Sequence, residues 1–144
     1  MSRKEYLDAK EKALKKLEND SINQKIDEKI MPILRILNTI DGSYTSRSCA
    51  GRIVLLHSPR IGDKREALFL GIWHHTVSPE DITIAAAQAT QGQIWLRAQA
   101  PILHIGAQAP KLADDLVKTA IQCGFKNSAL KSSTKKIVIE LSST

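Results

Sequence analysis

The sequence predicts an α+β fold with four helices and a mixed sheet of about five strands, in the order ααββαββαβ and without a Rossmann arrangement. Three observations lead there. Apolar residues recur at helical spacing through residues 3–40. Short runs rich in β-branched residues follow, bounded by Gly, Pro and Ser, with two further helix starts at Ser78-Pro79 and Pro110. The chain has 144 residues, 42% hydrophobic and 25% charged, the composition of one globular domain over residues 1–144. A chain of this length buries roughly two-thirds of its unfolded surface and can hold a core without disulfides or metals.

The opening segment, Ser2 to Glu18, mixes signs at helical spacing, with Glu11 four residues before Lys15 and a sparse stripe of Leu7, Leu14 and Leu17. It reads as an exposed helix packed along one side. Asp20-Ser21 is expected to break it. Ser21 and Gln24 then have capping-box spacing and open a second helix, whose Ile22, Ile26, Ile30, Ile33, Leu37 and Ile40 share one face. A kink is expected at Pro32 and an end at Asp41-Gly42. After a polar loop, Arg52 to His57 and Ala67 to His74 read as a strand hairpin joined through the turn-rich Pro59 to Arg65. Ser78 offers an N-cap, Pro79 needs no partner there, and Glu80 and Asp81 face the positive helix end, so a third helix runs to about Thr90. Gln91-Gly92 stops it. Strands Gln93 to Ala98 and Ile102 to Ala107 flank Pro101. The helix opened by Pro110 is strongly amphipathic, Gly124 caps it, and Lys136 to Leu141 is the last strand.

Lysine and arginine number 21 against 15 acids, a net charge of +6 and a pI of about 9.4. Residues 1–31 are close to balance, so the excess lies in the body of the chain. Arg35, Arg47, Arg52 and Arg60 face Asp41 alone, and Lys118, Lys126, Lys131, Lys135 and Lys136 have no acid among them. A basic face attracts polyanions such as RNA by counterion release, and a solvated Lys/Arg surface has the same signature. Cys49 and Cys123 are too few for a disulfide framework or a four-thiolate zinc site, so a reducing cytoplasmic setting is expected. No apolar run approaches the roughly 20 residues that span a bilayer, and none follows the Met-Ser-Arg-Lys-Glu start. Neither membrane anchor nor signal peptide is therefore expected.

No Gly-x-Gly-x-x-Gly, Walker, His-Glu-x-x-His or nucleophile-elbow pattern occurs. His74 and His75, as neighbours on a strand, point to opposite faces and cannot chelate one ion; without a Cys-x-x-Cys, no metal site is expected. Three polar spots stand out. Tyr44 to Arg52 collects hydroxyls, a thiol, two guanidiniums and a glycine between a helix end and a strand. Such donors hold phosphate or carboxylate, and the same composition makes an ordinary Ser/Thr turn. Gly124-Phe125-Lys126-Asn127-Ser128 is a second such spot or simply a Gly-capped turn. In Pro101 to Ile105, alternation sets His104 apart from Leu103 and Ile105 as a half-buried histidine, while His75 shares a strand face with Trp73.

Taken together, these spots resemble the tRNA wybutosine-synthesizing protein 3 family. Its members carry a Tyr-Tyr-Thr-Thr-Ser-Ser-Cys-Ser-Gly-Arg segment, a Ser-His-Asp-like segment, an Ile-Leu-His-Val segment and a Gly-Phe-Arg-Asn-Ser-Gly segment. Here the same order reads Ser43 to Arg52, His74-His75-Thr76, Ile102-Leu103-His104-Ile105 and Gly124-Phe125-Lys126-Asn127-Ser128-Ala129. The resemblance runs from about Arg3 to Leu141 and is most specific in the Ser-Cys and Gly-Phe-x-Asn-Ser segments. Ser43, Ser46, Arg47, Ala50 and Ala129 depart from the pattern, while Ser48, Cys49, Gly51 and Arg52 keep it. Family members continue beyond the last strand, so the stop at Ser142-Ser143-Thr144 reads as a shortened relative.

The resemblance implies an S-adenosylmethionine-dependent methyltransferase. Its target would be the N-4 nitrogen of the 4-demethylwyosine-type base 3′ of the anticodon of phenylalanine tRNA. It implies tRNA as partner, with no role for DNA or membrane. His75 or His104 would take the departing proton, with His75 preferred because its strand ends at a loop. Arg52 and Lys126 would contact phosphate or carboxylate, Ser46, Ser48 and Asn127 would hydrogen-bond base or cofactor, and Tyr44 or Trp95 would stack. Cys49 and Ser128 complete the two segments. The alternative is a non-catalytic basic RNA-binding module of the same fold.

Overall fold

The computed structural model describes residues 2–23, 25–60 and 66–143. Along the chain lie α1 (Arg3–Ile22), a 3-10 turn (Glu28–Ile30), α2 (Met31–Thr39), β1 (Ser43–Cys49), β2 (Arg52–Ser58) and β3 (Leu68–Trp73). Then come α3 (Pro79–Ala86), β4 (Gln93–Gln99), β5 (Ile102–Ala107), α4 (Pro110–Gln122), β6 (Ala129–Ser132) and β7 (Ile137–Ser142). They build two compact units, Met1–Ala50 with Pro101–Thr144, and Gly51–Ala100.

The α+β class and the four α-helices are as expected, but the sheet is not one mixed sheet of about five strands. Among the described residues, seven strands form two sheets ordered β1-β5-β7-β6 and β3-β2-β4, and every pairing is antiparallel. The expected polar loop is β1, because the Ser43 and Thr45 hydroxyls find partners and its backbone completes a ladder with β5. β4 and β5, which flank Pro101 as expected, enter different sheets, β4 pairing with β2 and β5 with β1 and β7.

In the first unit, Ser2 and Glu5 form a reciprocal capping box at the start of α1. The helix runs through Asp20-Ser21, where a break was expected, and closes with the Asn23 N–H donating to the Asn19 carbonyl at 3.0 Å. The second half of the expected capping box, Gln24, lies outside the described residues. Pro32 sits in the first turn of α2 and does not kink it, since the missing N–H is unused there. Of the expected stripe, Leu14 and Leu17 are half-buried and Leu17 packs on the main core, but Leu7 is 52% exposed, and Tyr6 and Ala9 are buried instead. Tyr6 packs on Tyr44 with ring centroids 5.7 Å apart. Tyr44 pairs with Gly106, so this contact lies on the sheet face opposite Leu103, Ile105 and Ala107. A side chain at Gly106 would put its Cβ 2.2 Å from the Tyr44 Cζ, which is why glycine stands there. Leu103, Ile105, Ile139 and Leu141 form the main core with Leu34 and Leu37 of α2 and Ala113 and Ala120 of α4. Burying each such leucine or isoleucine contributes roughly 1.5–3 kcal/mol.

In the second unit, central β2 buries Val54 and Leu55. The expected β2-β3 hairpin pairing is present, and the turn at 61–65 lies outside the described residues. Ser78 and Asp81 cap α3 reciprocally, as the sequence indicates. The helix ends at Ala86, short of Thr90, because the Gln88 and Ala89 N–H groups tighten onto the Ala85 and Ala86 carbonyls. The chain then turns at Gly92, whose φ of +89° and approach to the Ser58 carbonyl leave no room for a Cβ. β3 stops at Trp73, so His74 and His75 lie in the loop before α3 and not on a strand. No helix among the described residues is long and apolar enough to cross a membrane.

Candidate functional site

The polar segment of β1 divides into structural and open hydroxyls. Ser43 is fully buried, and its Oγ donates to the Leu37 carbonyl at 2.6 Å, closing the end of α2. Thr45 receives Asn38 twice, its N–H donating to Asn38 Oδ1 at 2.8 Å and its Oγ1 accepting from Asn38 Nδ2 at 3.0 Å. The ladder then slips between Thr45, opposite Ile105, and Ser48, opposite Leu103. Ser46 and Arg47 both answer to His104, which is a β-bulge, a device that re-aims side chains. Both are exposed, and the Ser46 Oγ donates to the His104 carbonyl at 3.4 Å.

The bulge borders a cavity of about 190 Å³ lined by Ser46, Arg47 and Ser48, with Lys16 and Asp20 of α1 and Lys25 from the connector. Leu17, Ile26 and Leu34 form its apolar floor. Lys16 and Asp20 are ion-paired. Three cations therefore surround one carboxylate, and the cavity favours an anionic group. The Ser48 Oγ is buried without a hydrogen-bond partner, a cost of roughly 1–3 kcal/mol that a bound polar ligand would remove. Lys16 and Lys25 were not singled out in the sequence, since they lie in a segment that reads as a plain solvated helix face.

The other expected residues are dispersed. Tyr44 is buried under Tyr6, so its ring offers no surface for stacking; burial raises its hydroxyl pKa. Cys49 ends β1 as a half-buried thiol, and neither cysteine is disulfide-bonded. The His104 Nε2 lies 2.7 Å from Glu140 Oε2, its register partner on β7, while its Nδ1 is buried without a partner. His104 therefore holds Glu140 through its Nε2. Lys131, 2.7 Å from the same carboxylate, is the largest influence holding Glu140 below the ordinary 4.5, with His104 adding to it. His75 is exposed in its loop, and its charge contributes the least of the influences holding Asp81 below the usual carboxylate range, after the hydrogen bonds from Ser78.

Asn127 and Ser128 are spent on structure. The Asn127 N–H donates to the Ser142 carbonyl at 3.0 Å, and its Nδ2 to the Ser143 carbonyl at 3.4 Å. The Ser128 Oγ donates to the Phe125 carbonyl and accepts from the Ser142 N–H. These bonds fix the turn that presents exposed Lys126 at the end of β7. In the second unit, the Arg52 Nε donates to Gln99 Oε1 at 2.6 Å and its guanidinium lies 5.9 Å from the Phe69 ring centroid. Trp95 is half-exposed on β4. Among the described residues, no cluster of His, Cys, Asp or Glu has the proximity to hold a metal ion.

The family model described as Methyltransferase TYW3 matches residues 8–144. The chain belongs to that family. It is 42% identical over 137 residues to the Pyrococcus furiosus protein named tRNA(Phe) 7-((3-amino-3-carboxypropyl)-4-demethylwyosine(37)-N(4))-methyltransferase 1, covering 94% of this chain and 70% of that one. A Methanocaldococcus jannaschii protein named as a methyltransferase of the same specificity is 35% identical over 143 residues, covering 96% of this chain and 73% of its own length. Among solved structures, the PH1069 protein from Pyrococcus horikoshii is similar at a TM-score of 0.87 and 39% identity, over 98% of this chain and 73% of that one. The family match takes in both compact units, so the bulged β1 and the β3-β2-β4 sheet belong to one methyltransferase sequence pattern.

Proposed function

We propose that this methyltransferase uses S-adenosylmethionine to methylate the N-4 nitrogen of a 4-demethylwyosine-type base 3′ of the anticodon in phenylalanine tRNA. Residues 1–144 would act as one domain, in the cytoplasm. Membership of the methyltransferase family carries the reading. The cavity at the β1 bulge supports the methyl donor: an orphaned Ser48 hydroxyl, the exposed Ser46 hydroxyl and a cationic rim suit a ligand with a carboxylate and several hydrogen-bonding groups. S-adenosylmethionine, when bound, supplies an electrophilic methyl group.

The protein's own residues bind, orient and remove one proton. Ser46 and Ser48 hydrogen-bond the donor, Arg47, Lys16 and Lys25 pair with its carboxylate, and Asp20 is the one acid beside its positive groups, with Cys49 at the end of the same strand. Arg52 and Lys126 contact tRNA phosphates, Lys126 being held in place by Asn127 and Ser128. Trp95 stacks on a base. His75, whose imidazole is exposed, accepts the proton released as nitrogen becomes methylated. Accordingly, His75→Ala should lower kcat by about 10²-fold, the low end for a general base, with donor affinity intact; unchanged turnover removes His75 from the reaction.

Isothermal titration with S-adenosylmethionine and filter binding with phenylalanine tRNA test the reading directly. Saturable binding of both is expected. Salt-dependent tRNA binding with no uptake of S-adenosylmethionine would instead make the chain a non-catalytic RNA-binding module.

A further inference from the structure

The chain has only two Phe, two Trp and two Tyr. Both tyrosines are buried, and Phe125 and Trp73 are partly covered. The remaining two, Phe69 and Trp95, are each 53% exposed. Leu56 of β2 pairs with Phe69 on one side and with Trp95 on the other, so the three form a single row across the β3-β2-β4 sheet. Directly paired residues share a sheet face. The Arg52 guanidinium over the Phe69 ring is on that face, and so is Arg97, two residues from Trp95 on β4. Ile72, paired with Val54, continues it and is 45% exposed. None of β2, β3 and β4 contains an acidic residue.

Two exposed rings on strands about 10 Å apart, two strand spacings, with guanidiniums beside them and no carboxylate on their strands, have the chemistry of a base-stacking surface. Every nucleobase has a π-face for an aromatic ring, and each guanidinium can meet a backbone phosphate. A second copy of this chain would be a poorer occupant, because two-fold contact would set the arginines against each other without an answering carboxylate.

We propose that this sheet face binds unpaired RNA, with Phe69 and Trp95 each stacking on a base and Arg52 and Arg97 contacting the intervening phosphates. This rests on the reading of the chain as a tRNA-acting enzyme and extends its RNA contacts from Arg52 and Trp95 to Phe69 and Arg97.

The test measures the affinity of a fluorescein-labelled 12-nucleotide oligouridylate and of phenylalanine tRNA for wild type, Phe69→Ala, Trp95→Ala, Trp95→Phe and Trp95→Leu. All these positions are half-exposed, so the variants should keep their fold by circular dichroism. The two alanine variants should each bind the oligonucleotide about tenfold more weakly, a typical value for one lost stacking contact. Trp95→Phe should restore most of the loss and Trp95→Leu little. S-adenosylmethionine affinity should not change in any variant. If Leu rescues as well as Phe, or the alanine variants match wild type while wild type binds tRNA, the stacking assignment is overturned and the tRNA reading stands. If wild type binds neither RNA, the functional reading itself fails. A concentration-dependent dimer in sedimentation that Trp95→Ala abolishes would give the face to a second copy and also overturn the proposal.

Discussion

Ser48 is a residue whose cost and use can be separated. Its hydroxyl is buried without a partner beside a cation-lined cavity, so it weakens the empty protein while remaining ready for a ligand. Ser48→Ala should therefore leave stability unchanged or raise it by about 1 kcal/mol, while weakening S-adenosylmethionine binding. Urea unfolding and calorimetry report the two effects independently; a marked loss of stability would mean that the hydroxyl is already satisfied. The histidines differ in a related way. The His104 Nε2 is engaged by Glu140 and its Nδ1 is buried, whereas His75 is exposed in its loop.

Two sheet contacts tie element packing to pH. On β5 and β7, His104 and Lys131 both face Glu140, whose pKa is lowered chiefly by Lys131. A carboxylate with a depressed folded pKa contributes stability that is present above its unfolded value and lost as pH falls through the folded one. The stability difference between wild type and Glu140→Gln should thus shrink as pH falls below the ordinary 4.5, followed by urea midpoints; a constant difference would contradict the link. Where α1 packs on β1, burial is the main cause raising the pKa of both Tyr6 and Tyr44, with Asp41 adding at Tyr6. A raised pKa stabilises the fold below the ordinary 10 and loses that contribution as pH climbs through the folded value. Absorbance at the tyrosinate band should therefore titrate above 10 and together with loss of helical signal. Titration at 10 with the helix signal intact would contradict the packing.

At the scale of the molecule, the features set by neighbours in sequence were legible and those set by distant partners were not. Ser78 with Asp81, Pro110 and Gly124 mark helix ends locally, and the structure has them there. Strand β1 was hidden because its Ser/Thr run reads as a turn until Asn38 partners Thr45 and β5 pairs its backbone. The Ile22 and Ile26 spacing placed the start of the second helix too early, since Ile22 is 73% exposed at the end of α1 and α2 begins at Met31 with Pro32 in its first turn. Within the candidate site, Ser46 and Ser48 were readable as donors, whereas Tyr44 was misjudged because its burial depends on Tyr6. Lys16, Lys25 and Glu140 acquire meaning only through the cavity and the β5-β7 register. Methyl transfer to tRNA is the reaction that these pieces are proposed to serve. Radiolabelled methyl transfer from S-adenosylmethionine to phenylalanine tRNA, isolated from cells lacking this protein, tests it most directly. Label at the N-4 nitrogen of the wyosine-type base, dependent on Ser48 and His75, is the predicted result. No transfer by folded protein that binds both substrates would contradict it.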